Sequence, residues 1–274
     1  MITESEEING DQKLSLSRRW LYILSNFIRN SSFQKTYIRR EQFFADRQER
    51  TSPLASPGRV LTEAYITRKL PELLPPGPIR VLDIGCGSGR TVHLLSSLGY
   101  SGEYVGLDVQ NKFQFGEVEG FQKVFIQGDA HDFNPDGKPF DLILSVSALE
   151  HIPNDARLIH RLPTMLSVNG LELHFVPAGW ALPTYLWHGY RQYTCARIAE
   201  RFGTGQTVVT PLGGLFSCVL HFVMITLGEM ILRIKTRERL PNFWSRWLNL
   251  SLHFDKYAPI CATMHVVYRK RPYG

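Results

Sequence analysis

The stretch "RVLDIGCGSGRT" constrains the fold more than any other part of the sequence. A short apolar run ends on Asp83, and glycines follow at positions 85, 87 and 89. An apolar run of this length predicts a β-strand. Closely spaced glycines allow a tight turn in which the backbone can approach a ligand. We therefore expect a strand followed by a turn that binds a nucleotide-like ligand.

Strand and helix patterns alternate along the chain after this point. Helical patterns, such as "RTVHLLSSL" and "DARLIHRLPTML", separate most of the strand candidates. This alternation predicts a parallel sheet with helices on both faces, whose ligands bind beyond the carboxyl ends of the strands. The strand candidates are "IRVLDI", "EYVGLD", "KVFIQGD", "FDLILSV" and "LELHFVP".

The spacing of the glycines argues against a dinucleotide ligand. The dinucleotide pattern G-x-G-x-x-G requires a third glycine that this sequence lacks, and position 90 is Arg. The carboxylate of Asp83, two residues before the first glycine, would repel a pyrophosphate. It is suited instead to a ligand that carries positive charge.

The segment from Asp83 to Gly89 closely resembles the first motif of class I S-adenosylmethionine-dependent methyltransferases. The resemblance extends over roughly residues 60–177: "YVGLDV" and "FIQGDAHDF" match the second and third strands, and "FDLILSVSALEHIP" and "NGLELHFVPA" match the fourth and fifth. "ATMHVVYRK" is similar to the closing antiparallel strand. The resemblance, which includes the ubiquinone- and menaquinone-biosynthesis type, implies an α/β Rossmann-like fold. We expect a seven-stranded, mostly parallel sheet with helices on both faces.

The resemblance also implies the cofactor S-adenosyl-L-methionine and the product S-adenosyl-L-homocysteine. Asp108 matches the acid that holds both ribose hydroxyls, since a carboxylate can accept two hydrogen bonds from a diol. Asp129, with Asp132 as the alternative, matches the acceptor for the adenine amino group, and Cys86 is expected to be a small filler. The predicted cofactor-binding residues are Asp83, Gly85, Cys86, Gly87, Gly89, Asp108, Val109, Asp129, Ala130 and Ser145.

The segment "SALEH" after the fourth strand contains the candidate catalytic residue. The resemblance places the transferred methyl group beside this segment, and histidine titrates near neutral pH. His151 is therefore the candidate general base; the alternative is that it caps or orders the following helix. Glu150 is expected to be a structural or cofactor-side hydrogen-bond partner. No metal is expected, because the sequence contains no Cys/His cluster and displacement on a sulfonium requires none.

Residues 178–194, dense in aromatic side chains, are expected to form a substrate loop. Its candidate substrate contacts are Trp180, His188, Arg191 and Tyr193, although aromatic residues in such a loop can equally be packing residues. The expected acceptor is a small molecule, methylated on an oxygen of a lipid-like, quinone-like or glycosylated metabolite.

Two basic flanks enclose an acidic centre. Residues 12–50 and 233–256 carry excess positive charge, and residues 79–178 excess negative charge.

We expect residues 1–58 to be a helical extension ending in the linker "SPLASPG", and residues 59–274 to be the methyltransferase domain. A helical cap at about 211–256 would be inserted before the last strand. The apolar run 212–232 is about long enough to span a bilayer but contains His221 and Glu229. It is predicted to be a buried cap, with an interfacial element on anionic lipid as the alternative.

Other functions remain as alternatives at this stage. A catalytically silent methyltransferase-like subunit would bind the cofactor and serve a partner. A nucleic-acid methyltransferase would use the basic flanks, but "SVSALEH" differs from the Asn/Asp-Pro-Pro-aromatic turn of amino-methyltransferases, which disfavours this function.

The start "MITESEEING" has no apolar core and the four cysteines form no CxxC. We therefore expect no secretory signal and a cytoplasmic location, with peripheral membrane association as an option. The sequence does not define an oligomeric state.

Overall fold

A computed structural model describes residues 7–31, 37–45, 53–114 and 116–271. The strands are β1 (Arg39–Arg40), β2 (Pro78–Ile84), β3 (Ser101–Asp108), β4 (Phe121–Gln127), β5 (Phe140–Val146), β6 (Leu166–Pro177), β7 (Val208–Leu212) and β8 (Met264–Lys270). The α-helices are α1 (Leu16–Asn30), α2 (Pro57–Leu73), α3 (Arg90–Ser97), α4 (Asp155–Arg161), α5 (Ala181–Tyr185), α6 (Cys195–Phe202), α7 (Leu215–Leu220), α8 (Thr236–Arg239) and α9 (Pro241–Asp255). Residues His221–Ile231 form a π-helical segment between α7 and α8.

All eight strands belong to one sheet, in the order β1-β7-β8-β6-β5-β2-β3-β4. β8 runs antiparallel to β6 and β7, and every other pair of neighbours is parallel. The strand order reverses between β2 and β5, which opens a crevice at their carboxyl ends. The Rossmann-like, mostly parallel fold expected from the sequence is therefore confirmed, with one strand more than predicted.

The additional strand, β1, lies within residues 1–58, which were expected to be a helical extension that includes the pattern "YIRREQFFADRQER" at 37–50. That assignment is wrong for the described part, residues 37–45, which is extended. Arg39 and Arg40 pair with Val208 and Val209 of β7. The edge of β7 offers unpaired backbone groups, and pairing with them satisfies the backbone of both segments. Residues 46–50 lie outside the described part of the chain.

Helix α2 begins inside the predicted linker "SPLASPG". Ser56 caps it by accepting a hydrogen bond from the backbone N–H of Arg59, and Pro57 occupies the first helical turn. Both residue types favour a helix start. The last residues of the "SPLASPG" stretch thus cap and begin α2. The boundary expected at residue 58 falls inside the first turn of this helix.

Two hydrophobic clusters cover the two faces of the sheet. Side chains of α2, α3 and α9 pack on one face, and those of α4 and α6 pack on the other. Trp244 of α9 is fully buried in the first cluster. The helices between β7 and β8 are therefore anchored to the main core through α9. Within the described residues, no helix combines the length and the apolar character needed to cross a membrane.

Candidate functional site

Two adjoining cavities lie at the carboxyl ends of the central strands. Their volumes are about 700 Å³ and 560 Å³, within the range of small-molecule sites. Gly85, Gly87 and Ser147 line both cavities and form the boundary between them. The first cavity extends toward α2 and α3, and the second toward the ends of β3 and β4. Together they offer an elongated site at the reversal of the strand order.

The glycines of the turn after β2 have different local roles. Gly85 has a φ of +70°, and a Cβ there would lie 2.4 Å from the Cβ of Ala148. Gly87 has a φ of +53°, but a Cβ there would meet no atom within 4 Å. Gly89, with a φ of +77°, is the N-cap of α3. Gly85 is thus required by packing, whereas Gly87 leaves open space that a ligand can fill.

Asp83, at the end of β2, is a buried carboxylate that lines the first cavity. The hydroxyl of Tyr104 donates a hydrogen bond to its Oδ2. Burial raises the pKa of Asp83 to about 7, and the charge of Asp108 acts in the same direction, while hydrogen bonds from Tyr104 and Thr91 oppose the shift. A cationic ligand in the cavity would stabilise the ionised carboxylate.

Asp108, at the end of β3, faces the second cavity. Its Oδ2 accepts a hydrogen bond from the backbone N–H of Gly87 at 2.9 Å, and its Oδ1 accepts one from Gln110 at 2.8 Å. Both oxygens retain lone pairs for further donors. Val109, which follows it, is largely exposed and also lines this cavity.

The segment after β4 brings Asp129 and Ala130 to the second cavity. The Oδ1 of Asp129 accepts a hydrogen bond from the backbone N–H of His131, which fixes the carboxylate. Asp132, the alternative in the sequence analysis, lies outside the lining of both cavities. Cys86 lines the first cavity, and burial raises the pKa of its thiol, which disfavours a nucleophilic role.

Ser145 does not fit its predicted role as a cofactor contact. It is fully buried inside β5, and its hydroxyl lies 2.9 Å from Nδ1 of His174 on the neighbouring strand. Ser147, two residues later, instead lines both cavities with a φ of +50°. Ser147, and not Ser145, therefore reaches the cavities, because the chain makes this left-handed turn at the strand end.

His151 lies on the rim of the second cavity among other ionisable groups. Its Nδ1 lies 2.7 Å from Oδ2 of Asp11, and its ring contacts the ring of His188 at a centroid distance of 4.6 Å. Glu150 is fully buried beneath the two rings. Burial alone would lower the pKa of His188, but hydrogen bonds and charges of Asp11 and Glu150 raise it to about 9. His151 and His188, predicted separately, therefore lie in one cluster.

The N-terminal segment covers this side of the site. The backbone N–H of Gly10 donates to the carbonyl of Gly189, and the hydroxyl of Tyr22 donates to the carbonyl of His188, both at 2.7 Å. Asn9 and Asp11 line the second cavity. Sequence reasoning missed these residues, because nothing in an acidic N-terminal stretch indicates which distant loop it will pair with.

The structure corrects two of the predicted substrate contacts, Arg191 and Tyr193. The guanidinium of Arg191 is buried, pairs with Glu7 and Asp155, and donates to the carbonyl of Ile152 at 2.8 Å. Tyr193 is also buried, and its hydroxyl donates to Asp155 at 2.5 Å. Both side chains belong to an internal ion-pair network, so neither is free to meet a substrate.

Trp180, the remaining predicted contact in the loop, lies outside both cavities. It precedes α5 and is about half exposed. Tyr185, at the end of the same helix, does line the first cavity and packs beside His188 at 5.6 Å between ring centroids. The predicted substrate loop thus contributes Tyr185 to the first cavity, whereas His188 lies outside the lining of both cavities and contacts the lining residues Tyr185 and His151.

Known proteins that are similar to this chain include methyltransferases. The chain is 30% identical over 160 residues to the trans-aconitate 2-methyltransferase of Variovorax paradoxus, which is 55% of this chain and 61% of the relative. It is 28% identical over 106 residues to the ubiquinone biosynthesis O-methyltransferase of Azorhizobium caulinodans, 37% of this chain and 41% of the relative. The chain thus spans about six tenths or less of the length of these curated relatives.

Among solved structures, the [4+2]-cyclase SpnF matches 94% of this chain and 96% of its own chain, with a TM-score of 0.51 and 16% identity. Because this protein is named as a cyclase, the shared fold does not by itself define a reaction. The model of the family described as "Methyltransferase domain" matches residues 39–204, more than half of the chain. This match covers most of the residues that line both cavities, but not Asn9, Asp11 and Met264. The chain therefore belongs to the methyltransferase domain family, with the fold of a class I S-adenosylmethionine-dependent methyltransferase.

Proposed function

We propose that this protein transfers a methyl group from S-adenosylmethionine to a small, lipid-like acceptor. The observation that carries the proposal is the buried carboxylate of Asp83 on a cavity bounded by an open glycine turn. Tyr104 and Thr91 donate hydrogen bonds to this carboxylate, but burial still penalises its negative charge, which a positive charge in the cavity would compensate. S-adenosylmethionine supplies both a positive charge and an electrophilic methyl group.

The residues on the cavities fit the parts of this cofactor. Asp108, fixed by Gly87 and Gln110, has lone pairs for the two ribose hydroxyls. Asp129 is suited to accept a hydrogen bond from the adenine amino group. The open space at Gly87 lets the ligand lie against the backbone.

The acceptor would bind where the N-terminal segment meets the two cavities. Tyr185 on the first cavity and His151 on the second flank the boundary at Ser147. These side chains offer an aromatic wall and polar groups for the reacting hydroxyl. The covering segment that contains Asp11 would limit the access of water to the site. Methyl transfer requires this exclusion of water.

Helix α1 supports a lipid-like acceptor, because its apolar face points to solvent. Tyr22, Ser25 and Asn26 are its buried residues, the reverse of the usual arrangement in a soluble protein. The outward side chains are 54% to 76% exposed, which would be unfavourable in water unless another apolar phase covers them. We name this set the α1 apolar face: Leu16, Trp20, Leu21, Leu24, Phe27 and Ile28.

A second set of exposed apolar residues lies on the helices between β7 and β8. α5 contacts both α1 and the segment 221–231, so the two surfaces belong to neighbouring elements. Phe222, Leu232 and Trp247 are among the exposed side chains. Exposed basic residues accompany them, namely Arg233, Lys235, Arg239 and Arg246. Apolar side chains with a basic rim are typical of proteins that bind an anionic membrane surface.

Two residues in this region have other roles. Trp244 is fully buried in the core. Arg237 forms hydrogen bonds with both oxygens of Glu229 and donates to the carbonyl of Leu54. Of the two tryptophans in α9, only Trp247 is exposed and available for lipid. The membrane surface would therefore be formed by the exposed residues alone.

The relative named for ubiquinone biosynthesis methylates an oxygen according to its name, which supports oxygen as the acceptor atom. The direct test incubates the purified chain with methyl-labelled S-adenosylmethionine and a lipid extract containing hydroxylated quinols. We expect S-adenosylhomocysteine to accumulate and label to enter an extractable small molecule. Cofactor binding without turnover on any acceptor would favour a silent methyltransferase-like subunit, and label in RNA would favour a nucleic-acid substrate.

A further inference from the structure

We propose that Glu150, His151 and His188 bind a divalent transition-metal ion. Each residue offers one ligand atom, and the three atoms lie within 4.8 Å of one another. Two residues come from the turn after β5 and the third from the loop after α5. We name these three residues the His–Glu cluster.

The distances inside the His–Glu cluster are close to those of a metal site. Nε2 of His188 lies 3.5 Å and Nε2 of His151 lies 3.9 Å from Oε1 of Glu150. Ligand atoms about 2.0 to 2.2 Å from a tetrahedral ion are roughly 3.3 to 3.6 Å apart. Small rotations of the two imidazoles would therefore bring the three atoms to coordinating distance.

The burial of Glu150 is the observation that points to an ion. Its side chain is 0% exposed, and among the described residues its nearest cationic partner, Nε2 of His188, lies 3.5 Å from Oε1, which is longer than an ordinary hydrogen bond. A buried carboxylate in this condition is strongly disfavoured. A cation held between it and the two imidazoles would compensate its charge directly.

Asp11 holds the two histidines from the opposite side. Its Oδ2 lies 2.7 Å from Nδ1 of His151, and its Oδ1 lies 3.7 Å from Nδ1 of His188. The Nε2 atoms of both histidines therefore face Glu150. Metal-binding histidines in proteins commonly have their other ring nitrogen held by a carboxylate in this way, which fixes the ring and its tautomer.

The ligand types select the class of ion. Two imidazoles and one carboxylate favour Zn²⁺, Mn²⁺ or Fe²⁺ over Mg²⁺ and Ca²⁺, which prefer oxygen ligands. Three protein ligands also leave a coordination position open. His151 and Asp11 line the second cavity, so an acceptor oxygen could occupy that position. This use of the ion rests on the proposed function, whereas metal binding itself does not.

No metal was expected from the sequence, because it contains no Cys/His cluster and displacement on a sulfonium requires none. Glu150 and His151 are adjacent, and the third ligand follows 37 positions later. The cluster exists only because the loop after α5 folds back over the turn after β5. A hydrogen bond of 2.8 Å joins the two segments, from the backbone N–H of Tyr190 to the carbonyl of Glu150.

The test is calorimetric titration of the tag-free, metal-depleted full chain with Zn²⁺, and separately with Mn²⁺ and Mg²⁺. We expect one Zn²⁺ per chain and weaker binding of Mg²⁺. Glu150→Gln and His188→Ala should each lower Zn²⁺ affinity at least 100-fold, and Asp11→Asn should lower it about 10- to 100-fold. His160→Ala, at an exposed histidine of α4, is the matched control and should bind Zn²⁺ normally.

Binding of S-adenosylhomocysteine and the thermal midpoint are measured on every variant to verify folding. Failure of the wild-type chain to bind Zn²⁺ or Mn²⁺ would overturn the site, as would undiminished binding by folded Glu150→Gln. Metal binding without methyl transfer would support the site while contradicting the proposed function. Methyl transfer by a wild-type chain that binds no metal would support the proposed function and contradict the metal site.

Discussion

The Oδ2 of Asp108 accepts a hydrogen bond from the backbone N–H of Gly87 at 2.9 Å, which joins the end of β3 to the glycine turn after β2. The two residues are 21 positions apart in the chain but lie on adjacent parallel strands. This bond orients the carboxylate and turn together before any ligand binds. A ligand can therefore meet both without reorganising either, which favours binding.

Replacement of Asp108 by Ala should weaken S-adenosylmethionine binding by about 2–4 kcal/mol, because two charge-assisted hydrogen bonds to the ribose diol are lost. Calorimetry on the folded variant measures the effect. Asp136→Ala is the matched control, since Asp136 is exposed and lies outside both cavities. Equal affinities in the two variants would mean that Asp108 does not hold the ribose.

Gly85 and Gly87 form a pair of variants that separates packing from ligand contact. Gly87→Ala should leave the unliganded thermal midpoint within a few degrees of the wild type, because the new Cβ meets no neighbour. Its main cost would be the left-handed backbone, about 1–2 kcal/mol. Cofactor affinity should nevertheless fall at least tenfold.

Gly85→Ala should show the opposite balance, because its Cβ would overlap the side chain of Ala148. We expect a clear loss of thermal stability even without ligand, measured by differential scanning calorimetry. Normal cofactor binding by Gly87→Ala would contradict the proposed approach of the ligand to this backbone.

The raised pKa of Asp83 predicts that cofactor affinity depends on pH. Burial holds this pKa at about 7, above its ordinary value, so below pH 7 the carboxyl is largely neutral. A cationic cofactor favours the ionised form, and binding must then release a proton. Affinity should therefore rise from pH 5.5 to about 7, by at most tenfold per pH unit, and level off above it.

The same shift affects stability with the opposite sign. Between the ordinary pKa of an aspartate and about 7, the folded chain binds more protons than the unfolded chain. The contribution of Asp83 to the free energy of unfolding therefore decreases as the pH rises through this window. Asp83→Asn should remove both dependences, whereas Asp136→Asn should retain them. Calorimetry at several pH values measures both, and a pH-independent affinity in the wild type would contradict this role of Asp83.

Sequence patterns were sufficient for the parts of the site that lie next to one another in the chain. The glycine turn and the acids ending β2 and β3 follow from local rules of strands and turns. The family match and the strand order confirm the fold they predict. The roles proposed for individual residues remain predictions.

The parts that sequence reasoning missed depend on contacts between distant segments. Asp11 meets His151 across 140 positions, and Glu7 meets Arg191 across 184. Neither pair has a local periodicity that reveals it. An arginine in an aromatic loop has the same sequence signature whether it binds substrate or a buried acid, so only the packing of the N-terminal segment distinguishes these roles.

The burial of Arg191 predicts a structural rather than a substrate-binding phenotype. Arg191→Met should destabilise the fold by about 3–5 kcal/mol, because the buried carboxylates of Glu7 and Asp155 would lose their nearest cationic partner. Thermal or urea unfolding measures this loss. His253→Ala, at an exposed position of α9, should unfold like the wild type. A variant of Arg191 with wild-type stability but a raised KM would restore the original substrate assignment.

The exposed α1 apolar face and the neighbouring basic residues predict binding to anionic membranes. Trp20 and Phe27 are each more than half exposed on α1, so a Trp20→Glu/Phe27→Glu variant should fold normally. It should lose most sedimentation with vesicles of anionic lipid, because burial of apolar side chains supplies most of the binding energy. Tyr37→Glu, at a side chain that is 91% exposed outside α1, is the matched control.

The charge contribution is tested separately with Arg239→Glu/Arg246→Glu. Each basic residue near an anionic surface contributes about 1 kcal/mol, and salt screens that contribution. This variant should bind anionic vesicles roughly a hundredfold more weakly at low salt and retain its affinity for S-adenosylhomocysteine. Lys138→Glu, an exposed residue outside both surfaces, controls for the change in net charge. If the wild-type chain ignores anionic vesicles even at low salt, a soluble acceptor becomes the better proposal, and the α1 apolar face would require a protein partner.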